Sequence, residues 1–592
     1  MPEVIVIGGG VAGFGAALEL AERGYQVKII EKSLLGSGAS GRNPGRMGHG
    51  FHYVNVETAI MYLRASIQAQ RKYPHYVVGR ELPNNHPIRH GRFFITKDSD
   101  NRPQQILATY EKIKEEYIRL IAEDPANEVF GPPEHFFRIL TPSEYEGQVN
   151  SERVLCGVET AEHLFDFGAF LKDMRKTILS NPNITLYEQS KVEHIERGRS
   201  SQPRFTLHVK DTGSATPQKK VFHADYLVNS TWQNIEQLND ELGIGMQPGA
   251  RTNRLKTLLV VKLPESLLNA HSMFFCMGQH CMFSNLGQGY GMMTFAEVTN
   301  METSTGLTLS ARAIRLLEGG VRADESDIIA KRILAGVATY IPDMAKAEVL
   351  DLKFGIVQTA GALTLGDLKD PNSSFHKRDY DGIREEQLGL ISNPCMKLFY
   401  FVRNGQVVAD IVDAEVEATA KIRQDVLDIV TEAKKAKIPI KKDLVRAFSE
   451  HLDRSIDSRN LDRLMSTGMI ESLLKKQVLM SELKVVTQSK MLQKTLDKGA
   501  LPLQDFPAFY LQAICDLSIE WVATLILSIS FATLAIGAVL SMPFAVATGI
   551  TAGFGWTFFS GDSTSDPIKT SKPPHHGLQD PATELLKYRV NE

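Results

Sequence analysis

The chain begins with a run of apolar residues that predicts a buried strand. Val4–Ile7 reads Val-Ile-Val-Ile, and consecutive β-branched residues are typical of a strand covered on both faces. A helix is predicted from Phe14 to Arg23, where Gly24 follows, and a second strand over Tyr25–Ile30. Strand, helix and strand in this order predict a βαβ unit with parallel strands.

The residues between the first strand and the helix carry the spacing of a dinucleotide fingerprint. Gly8 permits a tight turn, Gly10 lets the backbone approach a pyrophosphate, and Gly13 lets helix and strand pack closely. The helix N-terminus offers free N–H groups and partial positive charge to the phosphates. Glu31 ends the second strand, where a carboxylate accepts ribose hydroxyls and would repel a 2′-phosphate.

The segment after this unit, Gly36–Tyr53, is much richer in small and polar residues than a second crossover would be. Such a loop cannot form a core, but it can wrap a long ligand with backbone groups and hydroxyls. The composition of the segment therefore favours a dinucleotide that is held along much of its length.

This segment resembles the flavin-embracing loop of the D-amino acid oxidase superfamily of FAD-dependent oxidoreductases. The Gly-Ala-Ser-x-x-Asn run and the His/Gly-rich turn that ends in Tyr53 are similar to those of glycerol-3-phosphate dehydrogenases and L-2-hydroxyglutarate oxidases. One position departs from these groups, because Gly48 stands where they carry a histidine and His49 is one step away. The resemblance covers about residues 1–425.

The resemblance implies an α/β fold with a Rossmann-like FAD-binding domain of the glutathione-reductase type and an interleaved antiparallel α+β substrate domain. The expected FAD-binding segments are 1–90, 150–235 and 350–425, and the expected substrate-domain segments are 91–149 and 236–349. A basic helical region over 426–505, an apolar helical hairpin over 506–560 and a disordered tail over 561–592 are expected to follow.

The implied cofactor is FAD. By the same resemblance Val192 contacts adenine through its backbone, Ser230 and Thr231 lie near the pyrophosphate, and the turn at Gly405 stabilises negative charge on the reduced flavin. Trp232 stands where the superfamily commonly has glycine. The full set of expected cofactor contacts is Gly8, Gly10, Val11, Ala12, Gly13, Glu31, Lys32, Ala39, Ser40, Arg42, Asn43, Val192, Ser230, Thr231, Gly405 and Gln406.

The expected reaction is transfer of a hydride to FAD from a C–H that bears an amine or a hydroxyl, in a small anionic substrate. Arg46 and Arg378 are the candidate cations for a carboxylate or phosphate, and His49 and His52 are the candidate acceptors of the substrate proton. A membrane-associated binding or scaffold protein with weak or no catalysis is the alternative. An NAD-linked dehydrogenase is disfavoured, because the chain has one fingerprint and a flavin-type loop.

The amino-acid composition argues against some classes of ligand. The formal net charge of −3 gives no general attraction to nucleic acid. Five cysteines without CxxC spacing favour a reducing compartment and give no indication of a metal site. The flavin domain is accordingly expected on the cytosolic side.

The C-terminal third predicts contact with a membrane. Trp521–Phe559 contains no Asp, Glu, Lys, Arg or His, and one helix of that length would reach about 58 Å, well beyond a hydrocarbon core of about 30 Å. Pro543 lies near the middle and can divide the stretch into two helices. The basic run Lys434–Lys442 is either a solvated face or a contact with anionic lipid. The alternative for the apolar hairpin is burial in an oligomer interface.

Overall fold

The computed structural model describes residues 2–417, apart from 48–49, 198–202, 214–217, 247–248, 279, 371–372, 378–381 and 388. The predictions for His49, Arg378, the Lys434–Lys442 run, the Trp521–Phe559 hairpin and the segments around them therefore lie outside the described residues. The described residues belong to the first of two units of the chain, Met1–Glu482.

Eighteen strands are described. They are β1 (Glu3–Ile7), β2 (Gln26–Ile30), β3 (Gly91–Thr96), β4 (Phe137–Leu140), β5 (Val154–Thr160), β6 (Ile184–Tyr187), β7 (Ser190–Arg197), β8 (Phe205–Asp211), β9 (Lys219–Ala224), β10 (Tyr226–Asn229), β11 (Arg251–Lys262), β12 (Ser272–Cys276), β13 (Cys281–Gly287), β14 (Tyr290–Phe295), β15 (Asn300–Ser304), β16 (Glu348–Ala360), β17 (Arg384–Gln387) and β18 (Leu390–Ser392).

Helices connect and cover these strands. They are α1 (Val11–Glu22), α2 (Val56–Lys72), α3 (Pro103–Glu123), α4 (Phe167–Ser180), α5 (Ile235–Asp240), α6 (Ala296–Thr299), α7 (Ala311–Leu317) and α8 (Ala323–Ala338). A last helix, α9, occupies residues 401–417. The helix predicted at the start of the chain is therefore present and begins at Val11, directly after the last glycine of the first turn.

The first sheet has the order β17-β18-β10-β1-β2-β6, and its strands are parallel except for β17. β1 lies at its centre, with Val6 opposite Val228 on one side and Ile29 on the other. The side chain of Val6 is fully buried in a core that it shares with α1, α4 and α9. This burial on both faces explains why β1 has the continuous apolar pattern from which it was predicted.

The second sheet is largely antiparallel, in the order β15-β11-β14-β13-β12-β3-β5-β4, with β16 paired along the other edge of β11. A separate three-stranded antiparallel sheet has the order β7-β8-β9. The chain enters the large sheet twice, at β3–β5 and at β11–β16, which is the interleaved arrangement expected from the sequence.

Two strands fall on the other side of the expected domain boundaries. Val154–Thr160 pairs with β3 and β4, and Glu348–Ala360 pairs along the whole of β11, so both belong to the antiparallel sheet. The sequence assigned these residues to the nucleotide domain. Their partners are distant in sequence, and a strand by itself does not show which of two sheets it joins.

The apolar run Lys397–Val402 predicts a strand followed by a helix from near Val407, but in the structure this run is a helical segment. Leu398–Tyr400 forms a 3₁₀ turn and α9 begins at residue 401, six residues before the predicted start near Val407. Phe401 packs against Phe14 and Phe170 in the core beside the parallel sheet. A short apolar run does not distinguish a buried strand from a buried helix, which accounts for the error.

Within the range that the structure describes, none of the helices has both the length and the apolar character that a bilayer crossing requires.

Candidate active site

A cleft of about 840 Å³ runs from the carboxyl ends of the central parallel strands to one face of the antiparallel sheet. Its first half is lined by the glycine-rich turn, the end of β2 and the start of β7, and its second half by β11, β12, β13 and β16. Ligands of open α/β sheets bind outside the carboxyl ends of the strands. The cleft is therefore the candidate site for both a dinucleotide and a substrate.

The glycine-rich turn has the geometry that its spacing predicted. Gly8 has φ +99°, and a Cβ there would lie 2.6 Å from the carbonyl oxygen of Ser230. Gly10 is the N-cap of α1 and supplies no side-chain cap, so the first turn of the helix opens into the cleft. A Cβ on Gly13 would collide with the carbonyl of Gly8, so glycine is needed for the helix to pack against the strand.

Glu31 stands at the end of β2 and lines the cleft, as its position in the fingerprint predicted. Its carboxylate accepts hydrogen bonds from the N–H of Gly9 at 2.6 Å and from the N–H of Ser33 at 2.8 Å. These two bonds fix the carboxylate across the glycine turn. Lys32 lines the same part of the cleft.

The loop after Glu31 turns into the cleft rather than into solvent. The Ser40 hydroxyl accepts from the N–H of Val11 at 2.9 Å, and Ala39 and Asn43 line the cleft beside it. Arg42 donates to the carbonyls of Leu317 at 2.8 Å and Phe354 at 3.0 Å. Burial lowers the pKa of Arg42. This arginine joins the nucleotide loop to the antiparallel sheet.

The residues present fit a bound dinucleotide. Val192, Ser230 and Thr231 line the cleft where the sequence placed the adenine and pyrophosphate. The Ser230 side chain is buried and its hydroxyl has no hydrogen-bond partner among the described residues, so a ligand oxygen there would satisfy it. The glycines, this hydroxyl and the Glu31 carboxylate together match the phosphate and ribose chemistry of FAD.

Two predicted cofactor contacts lie elsewhere. Gly405 is inside α9, and a Cβ there would lie 2.5 Å from the carbonyl of Gly15, so its role is close packing against α1. Gln406 accepts a hydrogen bond from Gln68 on a separate groove beside α2. The segment that does line the cleft is 394–398, which precedes α9. The sequence predicts a start for this helix that is too far along the chain. Gly405 and Gln406 are therefore predicted as cofactor contacts in place of residues 394–398.

Trp232 adopts the left-handed conformation, with φ +57°, which favours glycine over other residues. Its indole N–H donates to the carbonyl of Ile356 at 2.8 Å, and the ring packs against the core of the antiparallel sheet. The hydrogen bond and the packing offset the strain of a non-glycine residue at positive φ.

The predicted substrate contacts Arg46 and His52 meet at a third residue, Glu162. Arg46 donates to both carboxylate oxygens of Glu162 and to the carbonyls of Met273 at 3.2 Å and Phe283 at 3.1 Å. The side chains of Arg46 and Glu162 are 3% and 0% exposed. The guanidinium is thus engaged by protein groups, and its geometry supports a positioning role instead of the predicted contact with a substrate anion.

His52 lies at the cleft wall in front of this pair. Its Nε2 is 3.6 Å from Glu162 Oε1, and its ring makes edge contacts with Phe93 and Phe274 at centroid distances of 5.1 and 4.7 Å. The imidazole is therefore held by two aromatic rings while it faces the cleft. This placement suits a group that exchanges a proton with a bound substrate.

Sequence reasoning missed two cations on β11. Arg254, Lys256 and Leu258 alternate along the strand and line the cleft, and the guanidinium of Arg254 lies 4.6 Å from the centroid of the Phe375 ring. Alternation of basic and apolar residues in a strand was the available signal, since successive side chains point to opposite faces. The other face of this strand packs into the core.

His280 is a further histidine at the cleft. Its Nε2 lies 2.9 Å from the Thr96 hydroxyl and its Nδ1 lies 3.0 Å from the Tyr340 hydroxyl. Burial is the largest cause of its lowered pKa, so the ring is neutral at pH 7. Both nitrogens are engaged within the protein, which favours an ordering role at this end of the cleft.

Comparison with known proteins agrees with this geometry. The model of the DAO family, described as FAD dependent oxidoreductase, matches residues 3–352. Gamma-glutamylputrescine oxidoreductase of Escherichia coli is 51% identical over 45 residues, which cover 8% of this chain and 11% of that protein. One subunit of the anaerobic glycerol-3-phosphate dehydrogenase of Escherichia coli is 28% identical over 196 residues, covering 27% and 34%. The chain thus spans between about a tenth and a third of these relatives.

Solved structures of similar chains include the glycine oxidase of Geobacillus kaustophilus, with 17% identity, TM-score 0.46 and coverage of 70% of this chain and 94% of that one. The L-alpha-glycerophosphate oxidase of Mycoplasma pneumoniae with FAD bound has 14% identity, TM-score 0.44 and coverage of 69% and 94%.

The family model covers more than half of the chain, and the chain belongs to the family of FAD dependent oxidoreductases. FAD is the cofactor of this family, so the predicted family and the predicted cofactor are both confirmed.

Proposed function

We propose that the protein takes a hydride from a C–H that bears an amine or a hydroxyl in a small anionic substrate. The observation that carries this proposal is the pair of cations, Arg254 and Lys256, on the sheet that forms the second half of the cofactor cleft. The nucleotide half of the cleft carries the anchoring groups for FAD, and the second half combines positive charge, apolar surface and a histidine.

In this proposal, each group of residues that lines the second half of the cleft has one role. Arg254 and Lys256 bind the anionic group of the substrate and orient it. Leu258, Phe274 and Met282 cover the reacting carbon and exclude water. His52 accepts the proton of the amine or hydroxyl. FAD, when bound, supplies the acceptor for the hydride.

The first test is a reduction screen on the purified full-length chain. The protein is expected to be yellow and to release FAD on denaturation. Under anaerobic conditions, separate additions of amino acids, hydroxy acids and glycerol phosphate are followed by flavin absorbance. Bleaching by an anionic substrate supports the proposal, whereas a flavin that none of these compounds reduces contradicts it.

The cation pair is tested with matched substitutions. Arg254→Leu is expected to raise KM for the bleaching substrate by about 10- to 100-fold, because a charge-assisted contact of about 1.5–3 kcal/mol is lost. Lys262→Leu is the control, since this basic residue lies on the same strand with an exposed side chain that pairs with Glu348. Equal KM values for the two variants would place the substrate anion elsewhere.

We also propose that the enzyme is attached to a membrane, with the flavin domain on the cytosolic side. The support is the sequence of Trp521–Phe559, which lacks charged residues and histidine, and the nearby basic run Lys434–Lys442. Two short apolar helices with both ends on one side would leave the flavin domain in the cytosol.

Carbonate extraction of membranes from cells that express the full chain tests this attachment. The wild-type chain is expected in the pellet, and a variant with Leu534→Asp and Val546→Asp in the extracted fraction, because each charge opposes insertion by roughly 2.5–3.5 kcal/mol. Replacement of the lysines in 434–442 is expected to reduce binding to phosphatidylserine vesicles. Extraction of the wild-type chain by carbonate would overturn the attachment.

A further inference from the structure

A buried carboxylate stands directly behind the histidine of the cleft. Glu162 follows β5, and its side chain is completely buried. A buried carboxylate needs charged or hydrogen-bonding partners, because removal from water costs several kcal/mol. Glu162 has Arg46 on one side and His52 on the other.

The two partners share one carboxylate oxygen. Arg46 Nε donates to Glu162 Oε1 at 3.1 Å, and His52 Nε2 lies 3.6 Å from that same oxygen. The second separation is longer than a hydrogen bond, but contacts of this kind in sites without a ligand are often long and shorten when the site is filled. Glu162 Oε1 is thus the acceptor placed for a proton on His52 Nε2.

The space around Glu162 is shaped for this arrangement. A Cβ on Gly91 would lie 2.7 Å from Glu162 Oε2, so glycine at this position of β3 leaves room for the carboxylate. The guanidinium of Arg46 lies 5.5 Å from the ring centroid of Phe93 and 5.8 Å from that of Phe274, the two rings that also hold His52. Arginine, carboxylate and imidazole therefore occupy one aromatic enclosure that opens to the cleft at His52.

We propose that Glu162 is a positioning residue, which fixes the ring of His52 at the cleft wall and keeps its proton on Nε2. The other ring nitrogen, Nδ1, is then the basic atom of the neutral imidazole. The negative charge of Glu162 also stabilises the imidazolium that forms when His52 accepts a proton. The inference rests on the proposed function for the identity of the proton donor, whereas the effect of Glu162 on His52 does not depend on it.

Other titratable groups near this pair do not supply the same charge. Burial is the main cause of the raised pKa values of Tyr110 and Cys276, so both side chains are neutral at pH 7. On the cleft side, Lys397 Nζ lies 4.8 Å from the centroid of the Tyr53 ring, next to His52 in the chain. Among the described residues around His52, Glu162 therefore supplies the negative charge, opposed by Arg46 and Lys397.

The test is a direct titration of His52 in the full-length, FAD-bound protein labelled with ¹⁵N-histidine. The His52 signal is assigned as the one that His52→Gln removes. In Glu162→Gln, the pKa of His52 is expected to fall by about one unit. Among the neutral imidazole rings, a smaller fraction is expected to carry the proton on Nε2. Glu162→Asp, which keeps the charge, is expected to restore most of the shift, and Glu159→Gln is expected to leave His52 unchanged.

Unaltered titration and tautomer of His52 in Glu162→Gln would overturn the proposal. If that variant does not fold, Gly91→Ala provides the second test, because its methyl group displaces the carboxylate without removal of a charge. With a substrate from the reduction screen, Glu162→Gln is expected to shift the ascending limb of the pH–rate profile to lower pH. When Glu162→Gln is added to His52→Gln, no further shift of this limb is expected. If no compound in the screen reduces the flavin, the proposed substrate class is rejected. The role of Glu162 is then judged from the titration of His52.

Discussion

Two clusters of arginine, glutamate and histidine lie near the antiparallel sheet and differ in what surrounds them. The cleft cluster is Arg46, Glu162 and His52, and the outer cluster is Arg92, Glu159 and His271. In the outer cluster, Glu159 Oε2 lies 3.2 Å from Arg92 Nη2 and 3.4 Å from His271 Nε2. The two clusters therefore contain the same residue types at similar separations.

Solvent and additional partners distinguish the two clusters. Glu159 is 21% exposed and also accepts from Arg138 at 3.0 and 3.1 Å, while Glu162 is fully buried beside Arg46. None of the outer three is among the described residues that line the cleft. The same three residue types thus form a partly exposed ion network with Arg138 in one place and a fully buried Arg–Glu pair beside a cleft histidine in the other. Their location in the fold, more than their chemistry, distinguishes the cluster that we propose to take part in catalysis.

The largest difference between the clusters is expected for their histidines. His52→Gln should slow flavin reduction by about 10²- to 10⁴-fold, the usual contribution of a proton-transferring group, while His271→Gln should stay within about twofold of wild type. Stopped-flow absorbance with the substrate from the screen measures both rates. Equal losses for the two variants would show that the clusters do not differ in function.

Replacement of the arginine is expected to lower the free energy of unfolding more in the cleft cluster than in the outer cluster. Arg46→Met leaves the Glu162 charge buried without its ion-pair partner and should lower the free energy of unfolding by about 3–5 kcal/mol. Arg92→Met leaves Glu159 with Arg138, His271 and water, and about 1 kcal/mol should be lost. Urea unfolding followed by circular dichroism compares them. A larger loss for Arg92→Met would contradict the assignment of the buried pair.

One glycine, Gly91, allows the position of Glu162 to be changed without a change of charge, and Gly157 provides a matched control. Gly91→Ala places a Cβ 2.7 Å from Glu162 Oε2, and Gly157→Ala places one 2.9 Å from Tyr145 Cε1. Both should cost about 1–3 kcal/mol of stability through overpacking. Only Gly91→Ala should also slow flavin reduction, by about tenfold, because it displaces a catalytic geometry. A similar rate loss in Gly157→Ala would assign the effect to general strain.

The smallest expected effect concerns the outer cluster at acid pH. The hydrogen bond from His271 is the largest cause that lowers the pKa of Glu159 to about 2. A carboxyl whose pKa is lower in the folded chain than the unfolded value of about 4.3 stabilises the fold above that value and loses this contribution as the pH falls toward 2. Glu159→Gln should therefore lower the free energy of unfolding by about 1 kcal/mol at pH 6 and by less at pH 3, after allowance for solvent screening. A cost that is independent of pH between these values would argue against the charged network.

The nucleotide half of the cleft was accessible to sequence reasoning because its determinants are local. Gly8 and Gly10 lie in the turn between a strand and a helix, Gly13 lies in the first turn of that helix, and Glu31 follows at the end of the next strand. Their chemistry depends on backbone geometry that short segments specify. The structure accordingly brings Gly8, Gly10 and Glu31 to one cleft, with Gly13 packed behind them.

The substrate half depends on contacts between distant segments. Arg46 and Glu162 are separated by 116 positions, and β11 is held in its sheet by pairing with β14, β15 and β16. No local pattern specifies that a glutamate after β5 will lie behind His52. The sequence therefore identified two members of the cleft cluster and missed the carboxylate between them.

The left-handed Trp232 gives this protein an internal optical probe. It is the one tryptophan of the described residues and it lines the cleft that we assign to FAD, whereas Trp521 and Trp556 belong to the apolar C-terminal stretch. Indole emission overlaps the absorption band of oxidised flavin, so energy transfer should quench Trp232 when the cofactor enters. Fluorescence of a variant in which Trp521 and Trp556 are phenylalanine would then report cofactor loading in the absence of any turnover.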